Sequence, residues 1–169
     1  GYTEEKGRKV FKPDATYQKI AAVERHKNTG KIGVGIVKGF GLRGGAIASS
    51  VSHDSHNLIV IGDNDHDMYL AVQELLRTQG GYTLVENGQV FDTLPLPIMG
   101  LMSDAGYEKV NEKLARMISK AHEMGIPEGF DPFITLSFMA LPVIPEIRIT
   151  PRGVYLTQED RMIQSPFDR

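Results

Sequence analysis

The stretch Gly45-Ala46-Ile47-Ala48-Ser49-Ser50-Val51-Ser52-His53-Asp54-Ser55-His56-Asn57-Leu58-Ile59-Val60-Ile61 decides the fold. Residues 46–51 and 58–61 are short apolar runs bounded by polar residues, with the length of strands rather than of helices. The six residues between them are all polar, a composition that suits a connection at the end of a sheet and not a strand interior.

Working outward, the same hairpin style recurs. Upstream, residues 17–24 carry Ile20, Ala21, Ala22 and Val23, and Lys27-Asn28-Thr29-Gly30 reads as a turn. Ile32, Val34 and Ile36 then alternate with Gly33, Gly35 and Val37, a strand pattern with room for close backbone approach. Downstream, residues 63–79 predict a helix, capped by Asp63 or Asn64, with Met68, Ala71, Val72, Leu75 and Leu76 on one stripe and Gly80-Gly81 beyond its end. Asn87-Gly88 between residues 82–85 and 89–91 is a strong hairpin signal.

Leu94-Pro95-Leu96-Pro97 excludes a central strand or helix interior, because each proline lacks a backbone donor. Residues 104–124 predict a second helix with a stripe of Tyr107, Val110, Leu114, Met117, Ala121 and Met124. Asp131-Pro132 is a helix-start signal, although residues 133–141 fit a buried strand equally well by periodicity. A last hairpin is expected at residues 147–149 and 154–156. The expected fold class is α+β: a largely antiparallel sheet built from hairpins, packed with two or three helices. The expected organisation is an arm over residues 1–16, one domain over 17–157 and a tail over 158–169.

Composition narrows the function. Lys and Arg number 19 against 21 Asp and Glu, giving a net charge of −2, with no basic excess of the kind nucleic-acid binding requires. Cysteine is absent, which removes disulfides, thiolate catalysis and sulfur-ligated zinc. No apolar stretch has the length of a membrane span, and residues 1–9 carry no signal-peptide core, so a cytoplasmic location is expected. The chain opens on Gly1 rather than Met, as Met removal or a piece of a longer polypeptide would both produce.

Gly39-Phe40-Gly41-Leu42-Arg43-Gly44 matches the spacing of a dinucleotide-binding loop. That chemistry needs a helix N-terminus after the loop, whereas residues 45–51 are small and β-leaning, so a backbone-packed or flexible turn is the better reading. Asp63, Asp65, His66 and Asp67 sit at a helix start, where acids cap and interact favourably with the helix dipole, and capping is preferred to metal binding. His26 and His122 are read as solvated. The polar segment gathers two of the five histidines with an aspartate, two serines and an asparagine. His53 and His56 would fall on opposite faces of a regular strand, whereas Asp54 and His56 could share one. Two readings stand: a group that moves protons or bonds to a polar heterocycle, or a hairpin tip satisfying its own backbone.

Several blocks in order resemble the C-terminal region of amidohydrolase-type adenine deaminases. They include Val23-Glu24-Arg25-His26, Val37-Lys38-Gly39-Phe40-Gly41-Leu42, residues 45–57, Leu94-Pro95-Leu96-Pro97-Ile98 with Gly100-Leu101-Met102-Ser103, and Leu141-Pro142-Val143-Ile144-Pro145-Glu146. The resemblance implies hydrolysis of adenine to hypoxanthine and ammonia in purine salvage. It also implies a manganese or iron pair in a catalytic barrel of the same polypeptide, and a homo-oligomer. The barrel alone needs about 250 residues, and its His-x-His ligands are absent from this sequence. No metal is therefore expected on this chain alone. The expectation is a domain that covers or completes the barrel site, with His53, Asp54 and His56 assisting catalysis and Ser52, Asn57 and Ser103 contacting substrate. The alternative is a structural or dimerisation module.

Overall fold

The computed structural model describes residues 2–5, 8–11, 17–23, 32–50, 58–95, 104–129, 131–138, 147–150, 153–156 and 161–163. The principal sheet has six strands: β3 (Tyr17–Val23), β4 (Ile32–Lys38), β5 (Gly45–Ser49), β6 (Leu58–Gly62), β7 (Gly81–Glu86) and β8 (Gln89–Pro95). Their spatial order is β4-β3-β6-β5-β7-β8, and every neighbouring pair is antiparallel. Two smaller sheets join β1 (Tyr2–Glu5) to β2 (Arg8–Phe11), and β9 (Ile147–Thr150) to β10 (Gly153–Leu156) and β11 (Arg161–Ile163). The pair β1–β2 falls in the segment read as an arm, and β11 in the segment read as a tail. Neither carries an alternation strong enough to be read from sequence.

The side-chain period of two divides the central strands between two cores. Ile20 and Ala22 of β3, Ile47 of β5, Ile59 and Ile61 of β6 and Leu84 of β7 enter one cluster; α2 (Asp104–Glu123) and α3 (Pro132–Phe138) close it with Val110, Met117, Ala121, Phe133 and Leu136. Ala21, Ala46, Ala48, Leu58, Val60 and Val85 point the other way, onto Met68, Ala71 and Leu75 of α1 (Asp65–Arg77). Helices thus pack on both faces of the sheet, α1 on one and α2 with α3 on the other, while β9 and β10 contact β3 and β4. That is why β5 and β6 read as continuous apolar runs, although antiparallel sheets commonly keep one wet, polar face. Among the described residues, no helix is long and apolar enough to cross a membrane.

The expected elements form with small shifts. Asn64 caps α1 by accepting from the Asp67 amide at 2.8 Å, and Gln79 (φ 59°) and Gly80 (φ 110°) turn the chain away after it. Asp131 accepts from the Phe133 and Ile134 amides at 2.8 and 3.1 Å, so the run after Pro132 is helix and not strand. Pro95 ends β8, an edge strand, where a missing donor is tolerated. Two side chains leave their expected stripes: Leu76 is 50% exposed and Tyr107 52%. The fully buried line of α1 is Met68/Ala71/Leu75, with Val72 partly buried at its margin, and the helix rests on β5, β6, β7 and β8.

Candidate functional site

Several strands of the principal sheet end together at one side, next to segments outside the described residues. The register runs Ile32 to Val23, Val23 to Leu58, Ile59 to Ser49, Ser49 to Tyr82, and Gly81 to Pro95. The chain therefore leaves or enters the sheet at this one end before residues 24–31, 51–57 and 96–103. Ser50, the last described residue before the polar segment, is buried and tied across to β7. Its amide donates to the Gly81 carbonyl at 3.0 Å, and its hydroxyl accepts from the Gly81 amide at 2.6 Å. Sequence reasoning passed over Ser50, for which the only signal is a polar residue closing a buried strand. Ser52, His53, Asp54, His56, Asn57 and Ser103 all lie outside the described residues, as does His26.

Helix α2 reaches toward the same end. Its C-terminus is fixed at the opposite end, where Met124 accepts from the Arg43 amide at 2.7 Å and Lys120 pairs with Glu86 at 2.7 Å. Twenty residues at about 1.5 Å per residue carry the helix roughly 30 Å back, beyond the length of a five- to seven-residue strand. Asp104, next after Ser103, thus begins α2 toward the end of the sheet where Ser50 and Leu58 lie.

The acidic cluster at the start of α1 is structural. Asp63 accepts from the Gly44 and Gly45 amides at 2.6 and 3.1 Å and from Asn64 Nδ2 at 2.8 Å. Asp67, buried, accepts from the Gly88 amide and Asn64 Nδ2, each at 2.9 Å, and so binds the β7–β8 turn to the helix start. Asp65 pairs with Lys19 at 2.7 Å. Among the described residues, no group of three or more His, Asp or Glu side chains is arranged to hold a metal ion. His122 places Nδ1 3.0 Å from the Ile126 carbonyl oxygen.

The glycine loop is a packed turn. It leads into β5 rather than a helix, and Gly41 crosses so close to Gly125 that a Cβ there would sit 2.6 Å from the Gly125 carbonyl. Gln18, fully buried, clamps the loop by donating to the Leu42 carbonyl and accepting from its amide at 3.2 Å.

Ion pairs fasten α2 to β8. Asp92 lies against Arg116 and, at 3.2 Å, Lys113. Burial pushes the Asp92 carboxyl up, but Arg116, the Thr93 amide and Lys113 together outweigh it and hold the group below the ordinary aspartate range. A depressed carboxylate stabilises the fold above its unfolded pKa, about 3.9, and loses that contribution as pH falls through the lower folded value. The stability advantage of the wild type over Asp92→Asn is accordingly expected to be constant from pH 7 to 5 and to shrink below pH 4. Urea midpoints at each pH measure it, and an advantage that grows on acidification contradicts the assignment.

The described residues define an α+β domain in which helices pack on both faces of one antiparallel sheet. The family model described as the adenine deaminase C-terminal domain matches residues 2–161, and the chain belongs to that family. It is 58% identical to the adenine deaminase of Desulfitobacterium hafniense over 154 residues, covering 91% of this chain and 27% of the relative. To the adenine deaminase of Clostridium acetobutylicum it is 51% identical over 149 residues, and to that of Bacillus subtilis 49% over 147, each alignment covering 86% of this chain and 26% of the relative. The chain spans about a quarter of the length of the curated relatives it matches.

Proposed function

We propose that this chain serves as the C-terminal domain of an adenine deaminase, with residues 17–157 as its body, 1–16 as an arm and 158–169 as a tail. The reaction is hydrolysis of adenine to hypoxanthine and ammonia, in cytoplasmic purine salvage. The observation that carries this reading is the 58% identity, over 91% of the chain, to a protein named adenine deaminase. The catalytic barrel and its manganese or iron belong to the part of the polypeptide outside this chain. The described residues do not fit such a metal, so no ligand is assigned here.

The role of this domain is to present the polar end of its sheet to the barrel. His53, Asp54 and His56 assist the protonation that lets the exocyclic amine leave as ammonia. Ser52, Asn57 and Ser103 bond to the heteroatoms on the purine edge. A second reading, a packing or dimerisation module, is favoured by the apolar side chains exposed along α1 and β4.

The test is ammonia release from adenine, with manganese present, by this 169-residue chain and by a longer polypeptide carrying it. The chain alone is expected to release none and the longer protein to turn over. Hypoxanthine from the chain alone places the whole site within these residues and removes the barrel from the account. A longer protein inert toward adenine removes the substrate.

A further inference from the structure

Asn87-Gly88 sets a side-chain carboxamide beside the least hindered backbone nitrogen that can follow it, and Asn87 is the only one of the five asparagines so placed. The dipeptide closes the β7–β8 hairpin with both residues at positive φ, 49° and 78°, and both exposed to water. Asparagine in this setting is chemically labile. The Gly88 nitrogen gives up its proton and attacks Asn87 Cγ; the Cγ–Nδ2 bond breaks, and Nδ2 leaves as ammonia with a proton regained from solvent. Water then opens the cyclic imide at either carbonyl, leaving aspartate or isoaspartate. The reaction needs only water and a Gly88 amide free to lose its proton and turn toward the side chain.

In this fold that amide is engaged. It donates to Asp67 Oδ1 at 2.9 Å, and the buried Asp67 is itself held by Asn64, which donates from Nδ2 to Asp67 Oδ2 at 2.9 Å and accepts from the Asp67 amide at 2.8 Å. A carboxylate at hydrogen-bond distance opposes ionisation of the donor, because the bare nitrogen would face a like charge in a partly dry corner. The preceding peptide unit is fixed as well. The Asn87 amide donates to the Gly44 carbonyl at 2.8 Å, and Asn87 Oδ1 lies over Gly44, 3.2 Å from where a Cβ would stand. These partners belong to the first turn of α1 and to the glycine loop, both distant in sequence, so the clasp exists only while α1 is docked on the hairpin.

We infer that Asn87 is a modification site held latent by Asp67: it stays intact while the start of α1 is docked on the β7–β8 turn and deamidates when the two part. The change runs one way. Isoaspartate lengthens the main chain of a tight turn, and either product adds negative charge to a corner that already holds Asp63 and Asp67. The clasp cannot then re-form as it was, so the domain carries a chemical record of its own opening. The deaminase reading makes no use of this corner, and the two stand or fall separately.

The test is peptide mapping of the longer polypeptide after incubation in mildly alkaline buffer. Trypsin releases residues 78–109 as one segment in which Asn87 is the only asparagine. The mass gained when OH replaces NH2, and methylation by an isoaspartate-specific methyltransferase, both read the change. The folded wild type is expected to deamidate at least about tenfold more slowly than the same protein in urea, the order that a hydrogen bond to a charged group contributes. Asp67→Asn keeps the shape and removes the charge, and should react faster than the folded wild type; Asp67→Ala should react about tenfold faster or more. Leu75→Val loosens α1 away from the clasp and should leave the rate near that of the wild type. A folded wild type as labile as the unfolded chain, Asp67 variants no faster than wild type, or Leu75→Val as fast as Asp67→Asn overturns the inference. Should Asp67→Ala fail to fold, the urea comparison and Asp67→Asn decide it.

Discussion

His53→Ala in the full-length deaminase is expected to lower kcat for adenine by about a hundredfold, with KM changed by less than about threefold. The size reflects the contribution of a positioned acid or base, typically 10²–10⁴-fold, taken at its lower end because the proposed function gives the polar segment an assisting role. Loss of a group used only in proton transfer appears in kcat, whereas loss of one that merely holds the domain in place appears as protein lost to unfolding. Asp54→Asn should act in the same direction by about tenfold if Asp54 orients a histidine rather than exchanging the proton itself. The pH profile separates the roles: a histidine working near neutrality gives kcat a limb between about pH 6 and 7, and His53→Ala should abolish that limb. If both variants keep more than half of wild-type kcat and an unchanged profile, the polar segment is a turn and the packing reading stands.

Much of the fold is legible in the residues, and the part that is not has physical reasons. Hairpins announce themselves locally: Asn87-Gly88 supplies the φ of 49° and 78° that the β7–β8 turn demands, and Ile32/Val34/Ile36 alternates as a half-covered edge strand should. The burial of β5 and β6 on both faces is hidden, because a continuous apolar run has no period to show which layer lies above and which below. Strand order is hidden too. Nothing local to Leu58–Gly62 says that it pairs with β3 as well as β5, since that choice is made by cores assembled across the whole chain. Of the site, the polar segment can be found by composition alone. That Ser50, Leu58, Pro95 and Asp104, the described residues flanking segments 51–57 and 96–103, lie toward one sheet end depends on the strand register and on where α2 is anchored. The acids at 63, 65 and 67 look like a metal site on paper. They spend their oxygens on amides and a lysine that are 18 or more residues away, or on the helix cap.

That same acidic corner yields the largest expected effect on stability. Gly45→Ala should cost about 3 kcal/mol or more, enough to leave much of a marginally stable domain unfolded. A Cβ on Gly45 would be driven into the carbonyl of Val85, on the neighbouring strand where the β7–β8 register slips, and would come within 2.6 Å of Met124 Cε. The methionine can turn aside; the backbone cannot. The Gly45 amide is held by Asp63, its carbonyl accepts from the Asp63 amide at 3.2 Å, and the adjoining Asn87 amide donates to Gly44 at 2.8 Å. Relief would require β5 and β7 to part, in the middle of the sheet. Gly39 is the control: it has φ of 82° but open space around its missing side chain, so Gly39→Ala should cost only the left-handed backbone penalty, about 1–2 kcal/mol. Urea denaturation of the two variants gives the comparison, and a Gly45→Ala cost no greater than that of Gly39→Ala would show the corner to be soft. A rigid corner has a consequence at the far end of the same strand. β5 runs from Gly45 to Ser49, and Ser50 is pinned to Gly81, so the clasp at its start and the serine just past its end together fix the register of the whole strand. Gly45→Ala in the full-length enzyme should therefore lose adenine turnover in proportion to the folded fraction, and regain it with stabilising osmolyte, as His53→Ala should not.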